Sequence, residues 1–178
     1  GTILQILGMS LNPQTLTTPI ISDFTGIQDF IHLGGIAIAN LNYTTIDLSQ
    51  VELNQYTFNQ STPMISISSC PLVTDIILPS DTINLVLNAN TYLTNIMFQP
   101  STYIGTNNTY NTGIQISGCN SLLSIDISNI LGVLNNAGLS VSSNLNLTQL
   151  NLKNSFCYNW GLVTIAANPN LFCVQVDD

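Results

Sequence analysis

Residues 73–98 read VTDIILPSDTINLVLNANTYLTNIMF, and this stretch decides the fold. It opens and closes with one arrangement, Leu-x-x-apolar-x-apolar, as Val73-Ile76-Leu78 and Leu93-Ile96-Phe98. Between the two copies stands a shorter alternation of apolar and polar residues. Alternation over a few positions is the pattern of a half-buried β-strand, so the stretch predicts two short strands in each repeat.

The first arrangement recurs with its leading residue at positions 33, 53, 73, 93, 122, 147 and 171, in steps of 20, 20, 20, 29, 25 and 24 residues. Self-similarity at such steps is the signature of a solenoid, in which each turn stacks on the one before. The seven copies are Leu33-Ile36-Ile38, Leu53-Tyr56-Phe58, Val73-Ile76-Leu78, Leu93-Ile96-Phe98, Leu122-Ile125-Ile127, Leu147-Leu150-Leu152 and Leu171-Val174-Val176.

The shorter alternation recurs between these copies. Its apolar pairs are Ile46-Leu48, Ile65-Ile67, Leu85-Leu87, Ile114-Ile116, Leu139-Val141 and Val163-Ile165. Helical periodicity is missing, and the abundant Ile, Val, Thr and Asn disfavour helices. We therefore predict a mainly β fold: a right-handed leucine-rich-repeat solenoid of about seven irregular turns, with two short strands per turn and few or no helices.

An Asn or a Cys follows the second strand in five turns, three residues after its last apolar position. A solenoid corner leaves backbone groups facing inward. A short amide side chain can bond these groups, and a Cys fills the same slot as a small apolar group. We interpret these residues as a stacked corner ladder, with a reactive thiol as the alternative for the cysteines. They are Cys70, Asn90, Cys119, Asn144 and Asn168.

The charge balance excludes several kinds of partner. The chain has 178 residues, one Lys or Arg, nine Asp or Glu and a net charge of −8. With a single cationic side chain it cannot neutralise the phosphates of nucleic acid or the headgroups of an anionic membrane. No apolar run reaches the roughly 18 residues of a membrane span, so we expect no direct membrane insertion.

Two end motifs resemble those of a known family. Residues 21–49 read ISDFTGIQDFIHLGGIAIANLNYTTIDLS, and residues 168–178 read NPNLFCVQVDD. Both are similar to the opening D-L-T-G-I-Q-x-F and the closing N-P-N-L-x-C-I-Q-V-D-D of leucine-rich-repeat domains in surface proteins of Bacteroidetes, flavobacteria especially. The opening is matched by Asp23, Thr25, Gly26, Ile27, Gln28 and Phe30, with Phe24 in place of Leu. The repeats between the two motifs are less regular than is usual in that family.

The resemblance implies a surface-displayed or secreted protein, often exported by type IX secretion, that is adhesive or ligand-binding and has no catalytic residues. It implies a location outside the cell or exposed on the outer membrane. We divide the chain into an N-terminal cap segment, 1–20, and a leucine-rich-repeat solenoid, 21–178, with repeats over 33–178 and a closing cap at 168–178. Because family members usually continue past the closing motif, we expect a piece of a larger protein and part of a larger surface assembly.

The outward positions of the first strand are the candidate binding face, because polar strand residues point onto the concave sheet of such a coil. Ile77 and Met97 are apolar where solvent is expected, and adjacent exposed apolar residues can mark a contact patch. The alternatives are that a rim loop covers them or that they are merely tolerated. The middle column of this face is Ala37, Thr57, Ile77, Met97, Asp126, Asn151 and Gln175.

Extra residues in the longest repeats are expected to form loops on one rim, at 99–113, 129–138 and 154–161. The last loop carries Tyr158 and Trp160, aromatic types that are favoured at recognition sites. The alternative is that Trp160 folds back and seals the end of the core.

Residues suited to catalysis are few. The only His, His32, lies in the opening motif, and Asp75 and Asp126 would stand about 10 Å apart, at the outer limit for a glycoside-cleaving pair. The cysteines lack zinc-site spacing and the acids are scattered. We therefore expect a protein that is not an enzyme and that holds no metal or cofactor.

Two covalent features are candidates. Asp81-Thr82-Ile83 resembles the sequence at which Bacteroidetes attach O-glycans to exported proteins, so Thr82 is a candidate glycosylation site. An oxidising compartment permits a disulfide between Cys157 and Cys173, and a partner further downstream for Cys173 is the alternative.

We expect a non-enzymatic domain for adhesion or protein–protein binding, with a protein or glycan ligand at a cell surface. The alternatives are a glycan- or ice-binding recognition module and an accessory domain of a larger exported enzyme. A regular Thr column would favour ice, and only Thr57 falls in the middle column.

Overall fold

The computed structural model of the protein describes residues 9–11, 26, 33–53, 62–105, 112–134, 136–153 and 160–177. These residues form β-strands and connecting turns, and none of them is helical. The strands are β1 Met9–Leu11, β2 Gly35–Ala39, β3 Thr45–Asp47, β4 Met64–Ser68, β5 Asp75–Ile77, β6 Thr82–Asn88, β7 Asn95–Met97, β8 Tyr103–Ile104, β9 Thr112–Ser117, β10 Ser124–Asp126, β11 Gly132–Val133, β12 Gly138–Ser142, β13 Gln149–Asn151, β14 Val163–Ala166 and β15 Cys173–Gln175.

All the paired strands run parallel and stack turn upon turn. One large sheet follows the order β1-β2-β4-β6-β9-β12-β14, and two three-stranded sheets follow the orders β3-β5-β7 and β10-β13-β15. The predicted mainly β solenoid is thereby confirmed. From β2 to β14 the chain makes five full turns, somewhat fewer than predicted.

The core consists of apolar columns that run from turn to turn. In the large sheet the column Ile36, Ile65, Leu85, Ile114 and Leu139 is at most 1% exposed. Fully burying such a side chain contributes about 1.5–3 kcal/mol. Stacking identical inward positions is therefore what stabilises a chain with so few charges.

Two of the expected rim loops contain strands of a third, short face. β8 pairs with the beginning of β6 and with β11, which aligns Ile83, Ile104 and Val133. These three side chains are at most 5% exposed, so the inserts at 99–113 and 129–138 contribute to the core. The prediction of irregular loops there was wrong in part, because a two-residue strand is too short to show alternation in the sequence.

The first turn was assigned to the wrong faces. Ala37, predicted on the binding face, lies in β2 and pairs with Ser66 of the large sheet. Ile46, predicted in the same strand type as Ile65, lies instead in β3 and pairs with Ile76 of a small sheet. Leu33 bridges to Leu53, so it belongs to the turn entering β2. Strands on different faces share the same inward spacing, and spacing alone therefore cannot distinguish them.

Each turn leaves the large sheet through a residue in the left-handed conformation. Five of the six are not glycine, although this conformation costs an ordinary residue roughly 1–2 kcal/mol. In the first five turns the N–H of this residue donates to a backbone carbonyl of the next turn. The Ala89 N–H, for example, donates to the Ser117 carbonyl at 2.9 Å. The six, with φ between 53° and 66°, are Asn40, Ser69, Ala89, Gly118, Ser143 and Ala167.

The Asn and Cys residues of the proposed corner ladder follow directly and stack on one another. The N–H groups of Cys70 and Cys119 donate to Oδ1 of Asn90 and Asn144, both at 3.0 Å. The N–H of Asn144 donates to Oδ1 of Asn168 at 2.9 Å. Each amide group also donates back to a strand carbonyl of the preceding turn. The side chain of each Asn thus hydrogen-bonds to the backbone at the corner of the preceding turn.

The two ends extend the stack. β1, inside the expected N-terminal cap segment 1–20, pairs with β2 as a further strand of the large sheet. Residues 168–177, expected to close the solenoid, contain β15, which pairs in register with β13. They leave Val174 and Val176 exposed. This segment adds a rung to the small sheet, and the closing cap stays a prediction.

Asn144 provides the sharpest test of the corner ladder. Asn144→Ala leaves the buried Cys119 N–H without its acceptor and removes one donor from the Ile116 carbonyl, and we expect a loss of about 1–3 kcal/mol in the free energy of unfolding. Urea unfolding followed by circular dichroism measures it. The control Asn129→Ala, at an exposed turn, should change stability by less than about 0.5 kcal/mol. Equal effects from both variants would contradict a structural role for the ladder.

Candidate functional site

The outward sides of the two three-stranded sheets form one surface, which we call the sheet-pair face. Its twelve side chains stand in two parallel columns, because successive residues of a strand point to opposite sides. The first column is Thr45, Asp75, Asn95, Ser124, Gln149 and Cys173, and the second is Asp47, Ile77, Met97, Asp126, Asn151 and Gln175.

The structure thus brings five of the predicted binding residues into one column. Of the other two members of the predicted column, Thr57 lies outside the described residues and Ala37 lies in the large sheet. Asp47 was missed, although it carries the same signal as Asp126: each stands between inward apolar residues and is followed two positions later by Ser. The error in the first turn hid it.

The first small sheet presents an apolar patch. Met97 is 46% exposed, and Ile77 beside it is half-buried. Their neighbours in the first column, Asp75 and Asn95, are polar and hydrogen-bond to each other at 3.3 Å. The patch is therefore a pair of apolar side chains bordered by hydrogen-bonding groups.

The second small sheet presents a polar hollow. An open cavity of about 230 Å³ lies over β10, β13 and β15. Its lining contains one carboxylate, one hydroxyl and three amide side chains, which can donate and accept hydrogen bonds. The lining residues are Ser124, Ile125, Asp126, Gln149, Leu150, Asn151 and Gln175.

Asp126 is held in place within this hollow. Its Oδ1 accepts from the Ser128 N–H at 2.9 Å and from Asn151 Nδ2 at 3.1 Å. Partial burial acts to raise the pKa of Asp126, but the hydrogen bonds from Ser128 and Asn151 outweigh it and hold the pKa below its ordinary value. The group is therefore a fixed anion at neutral pH.

The same hydrogen bond, from a backbone N–H to the side-chain oxygen two residues earlier, recurs along the column. Asp47 Oδ1 accepts from the Ser49 N–H at 2.9 Å, and Asn151 Oδ1 accepts from the Lys153 N–H at 3.1 Å. A side-chain oxygen that bonds the backbone two residues on stabilises a turn. These residues therefore shape the edge of each small sheet as well as presenting polar atoms outward.

Threonine hydroxyls beside this face are already engaged. Thr74 Oγ1 lies 3.1 Å from the Thr44 carbonyl and 2.6 Å from Asp75 Oδ2, and Thr94 Oγ1 donates to the Thr74 carbonyl at 3.1 Å. Asp75 and Asp126 stand in different columns, on strands separated by β7. Their carboxylates accept hydrogen bonds from their own neighbours.

The remaining candidates are placed as follows. Trp160 packs against the core, with its indole Nε1 buried and no hydrogen-bond partner among the described residues. Thr82 begins β6, and the neighbouring Asp81 accepts from the Leu53 N–H at 2.9 Å. Cys173 is half-buried and has no disulfide partner among the described residues. His32, Tyr158 and Cys157 lie outside them.

The corner cysteines are buried thiols. Burial raises the pKa of the Cys119 thiol to about 11, against an opposing hydrogen bond from the Asn90 backbone. Burial likewise raises the pKa of Cys70, although the backbone of Leu41, Asn40 and Ser68 opposes it. A thiol of raised pKa is a poor nucleophile, which favours a packing role for both.

Within the described ranges, no group of three or more His, Cys, Asp and Glu could hold a metal ion. The same residues contain no helix long and apolar enough to cross a membrane. What the sheet-pair face offers chemically is apolar contact, hydrogen bonding and fixed negative charge.

No protein-family model, no curated protein and no solved structure matches the chain.

Asp126→Asn tests the fixed anion, because Asn keeps an oxygen for the Ser128 N–H but has no charge. A carboxyl whose folded-state pKa is lowered adds stability above its ordinary pKa of 3.8, and the addition is lost as the pH falls through the folded-state value. We expect the wild type to be more stable than the variant at about pH 7, by less than about 1 kcal/mol because the group is exposed. Urea unfolding at a series of pH values should show the gap closing as the pH falls below 3.8. A gap that persists or widens in acid would contradict the assignment.

Proposed function

We propose that this chain is a non-enzymatic recognition domain whose sheet-pair face binds a protein partner at a cell surface. The observation that carries the proposal is the exposed Met97 beside Ile77, set among polar side chains on rigid strands. An apolar centre with a polar surround is the usual composition of a protein-binding surface. Met is also well suited to such a role, because its flexible thioether adapts to a partner.

The hydrogen bonds of this face support binding over catalysis. Asn95 and Asn151 each donate to a carboxylate on the neighbouring strand, which fixes the side chains before any partner arrives. Binding then orders fewer side chains, and less of the interaction energy is lost as conformational entropy. A partner that carries cationic groups would also be attracted by the net charge of −8.

We further propose that the chain belongs with the leucine-rich-repeat domains of exported Bacteroidetes surface proteins, and that it acts outside the cell. The support is the pair of end motifs at 21–49 and 168–178. A type IX secretion substrate and a domain of a larger surface assembly are parts of the same proposal.

A glycan is the second candidate ligand. The observation that favours it is the hollow of about 230 Å³ over β10, β13 and β15, where Asp126, Gln149 and Asn151 offer donors and acceptors for sugar hydroxyls. In that case the polar half of the face would dominate binding. Variants in the apolar half would then have little effect.

The experiment uses one Met in each of two sheets. The fluorescently labelled 178-residue chain is applied to fixed cells of its native host and to an oligosaccharide array, as wild type, Met97→Asp and Met64→Asp. Met64, 37% exposed, lies in β4 of the large sheet and is the matched control. We expect binding to the cells, unchanged in Met64→Asp and weakened at least about tenfold in Met97→Asp, the loss typical of a central interface residue. Circular dichroism establishes that both variants are folded.

Several outcomes would contradict the proposal. They are no binding to cells, equal losses in both variants, or full binding by Met97→Asp. Binding to the array alone, lost in Asn151→Ala but kept in Met97→Asp, would transfer the assignment to a glycan.

A further inference from the structure

Four successive side chains in the second column of the sheet-pair face are ordered as anion, apolar, apolar, anion. From turn to turn the column runs Asp47, Ile77, Met97 and Asp126. Both carboxylates are exposed, Met97 is 46% exposed and Ile77 is half-buried. The apolar pair therefore lies between two negative charges on one surface.

The spacing of these four side chains follows from the stacking of the turns. β3 pairs with β5 and β5 pairs with β7, so the first two steps are each one strand spacing. β7 and β10 follow β6 and β9, which pair in the large sheet, so the third step is also a single turn. Three steps of roughly 4.8 Å separate Asp47 from Asp126 by about 14 Å, with the centre of the apolar pair about 7 Å from each.

An extended peptide has matching dimensions. Its alternate side chains point the same way and are about 6.7 Å apart, so three of them span about 13 Å. A peptide that runs along the solenoid axis can thus place its outer two side chains over the carboxylates and its central one over Ile77 and Met97. A helix repeats every 5.4 Å and covers about 11 Å in two turns, which is a poorer match.

Charge complementarity decides the chemistry of the two outer positions. The chain has nine Asp or Glu and one Lys or Arg, so it cannot neutralise its own carboxylates. Asp47 and Asp126 accept the N–H groups of Ser49 and Ser128, both at 2.9 Å, so their positions are set before a partner arrives. A carboxylate has about four acceptor sites, so each can still bind an ammonium or guanidinium group.

We propose that the sheet-pair face binds an extended segment of its partner in which one large apolar residue stands between two Lys or Arg residues, each two positions away. The apolar side chain packs on Ile77 and Met97, and the cationic groups pair with Asp47 and Asp126. The inference rests on the proposed function, because it names the part of a protein partner that the same face recognises. The face also rejects acidic segments, since like charges brought together repel.

The test titrates the 178-residue chain with two blocked synthetic peptides of identical composition and follows NMR chemical shifts. In the first peptide a leucine stands between two lysines, each two positions away. In the second the two lysines are adjacent and the leucine is at one end. We expect the first to bind at least about fivefold more tightly, with shifts centred on β3, β5, β7 and β10. This comparison uses only the wild-type chain, so no substitution can disturb it.

Amide substitutions isolate the two charges. Asp47→Asn and Asp126→Asn each keep a side-chain oxygen for the backbone N–H and remove one negative charge. Each should weaken binding of the first peptide about two- to fivefold, the range of an exposed ion pair, and the double variant should weaken it further. The matched control is Glu52→Gln, because Glu52 is an exposed acid beside the Leu33–Leu53 bridge, outside the sheet-pair face. It should leave the affinity unchanged.

Equal affinities of the two peptides would overturn the inference, and so would equal losses in Glu52→Gln and in the two Asp variants. The cell-binding assay separates the inference from the proposed function. Cell binding that is lost in Met97→Asp but kept in the double variant Asp47→Asn/Asp126→Asn would overturn the inference alone. No cell binding by the wild type would overturn the proposed function, and the peptides would still decide whether the face selects this segment.

Discussion

The hydrogen bond from one corner to the next is the constraint on which the rest of the structure depends. A turn that leaves the large sheet must reverse direction, and it does so through a left-handed residue such as Ala89 followed by an Asn or a Cys. The Asn side chain fills two needs at once, since Asn144 accepts from the Cys119 N–H and donates to the Ile116 carbonyl. The buried Cys119 N–H could not be left without a partner at a cost below about 1 kcal/mol. The corner thus fixes the register of each turn on the one before.

Register in turn decides what faces outward. Each strand pairs residue for residue with the next. A position that faces solvent in one turn therefore faces solvent in the next, and the outward side chains form columns. On the small sheets these columns hold Ile77 and Met97 at one end and the Asp126 hollow at the other. Rigid strands and hydrogen-bonded side chains make this a surface prepared for contact. At the last described turn the same inward columns continue to Val163 and Val174, which are 43% and 44% exposed.

Much of this could be predicted from the sequence, and the failures have a common cause. The solenoid and its parallel stacking followed from repeated apolar spacing, and the column from Ile77 to Gln175 followed from alternation within one strand. The third face was missed because a strand as short as Gly132–Val133 has no periodicity. Ala37 was placed on the wrong sheet because all faces point apolar residues inward at the same interval. The left-handed residues were invisible, since Ala and Ser carry no signal for a conformation that glycine usually adopts.

The most direct test of the in-register solenoid is amide hydrogen exchange measured residue by residue by NMR. Corner amides lie outside the regular strands, so in an unstacked chain they would exchange rapidly. If the ladder holds the turns together, the N–H groups of Cys70, Cys119 and Asn144 will exchange as slowly as those of the central strands of the large sheet, because they open only when the stack opens. Fast exchange at all three corners, beside protected strands, would contradict the account.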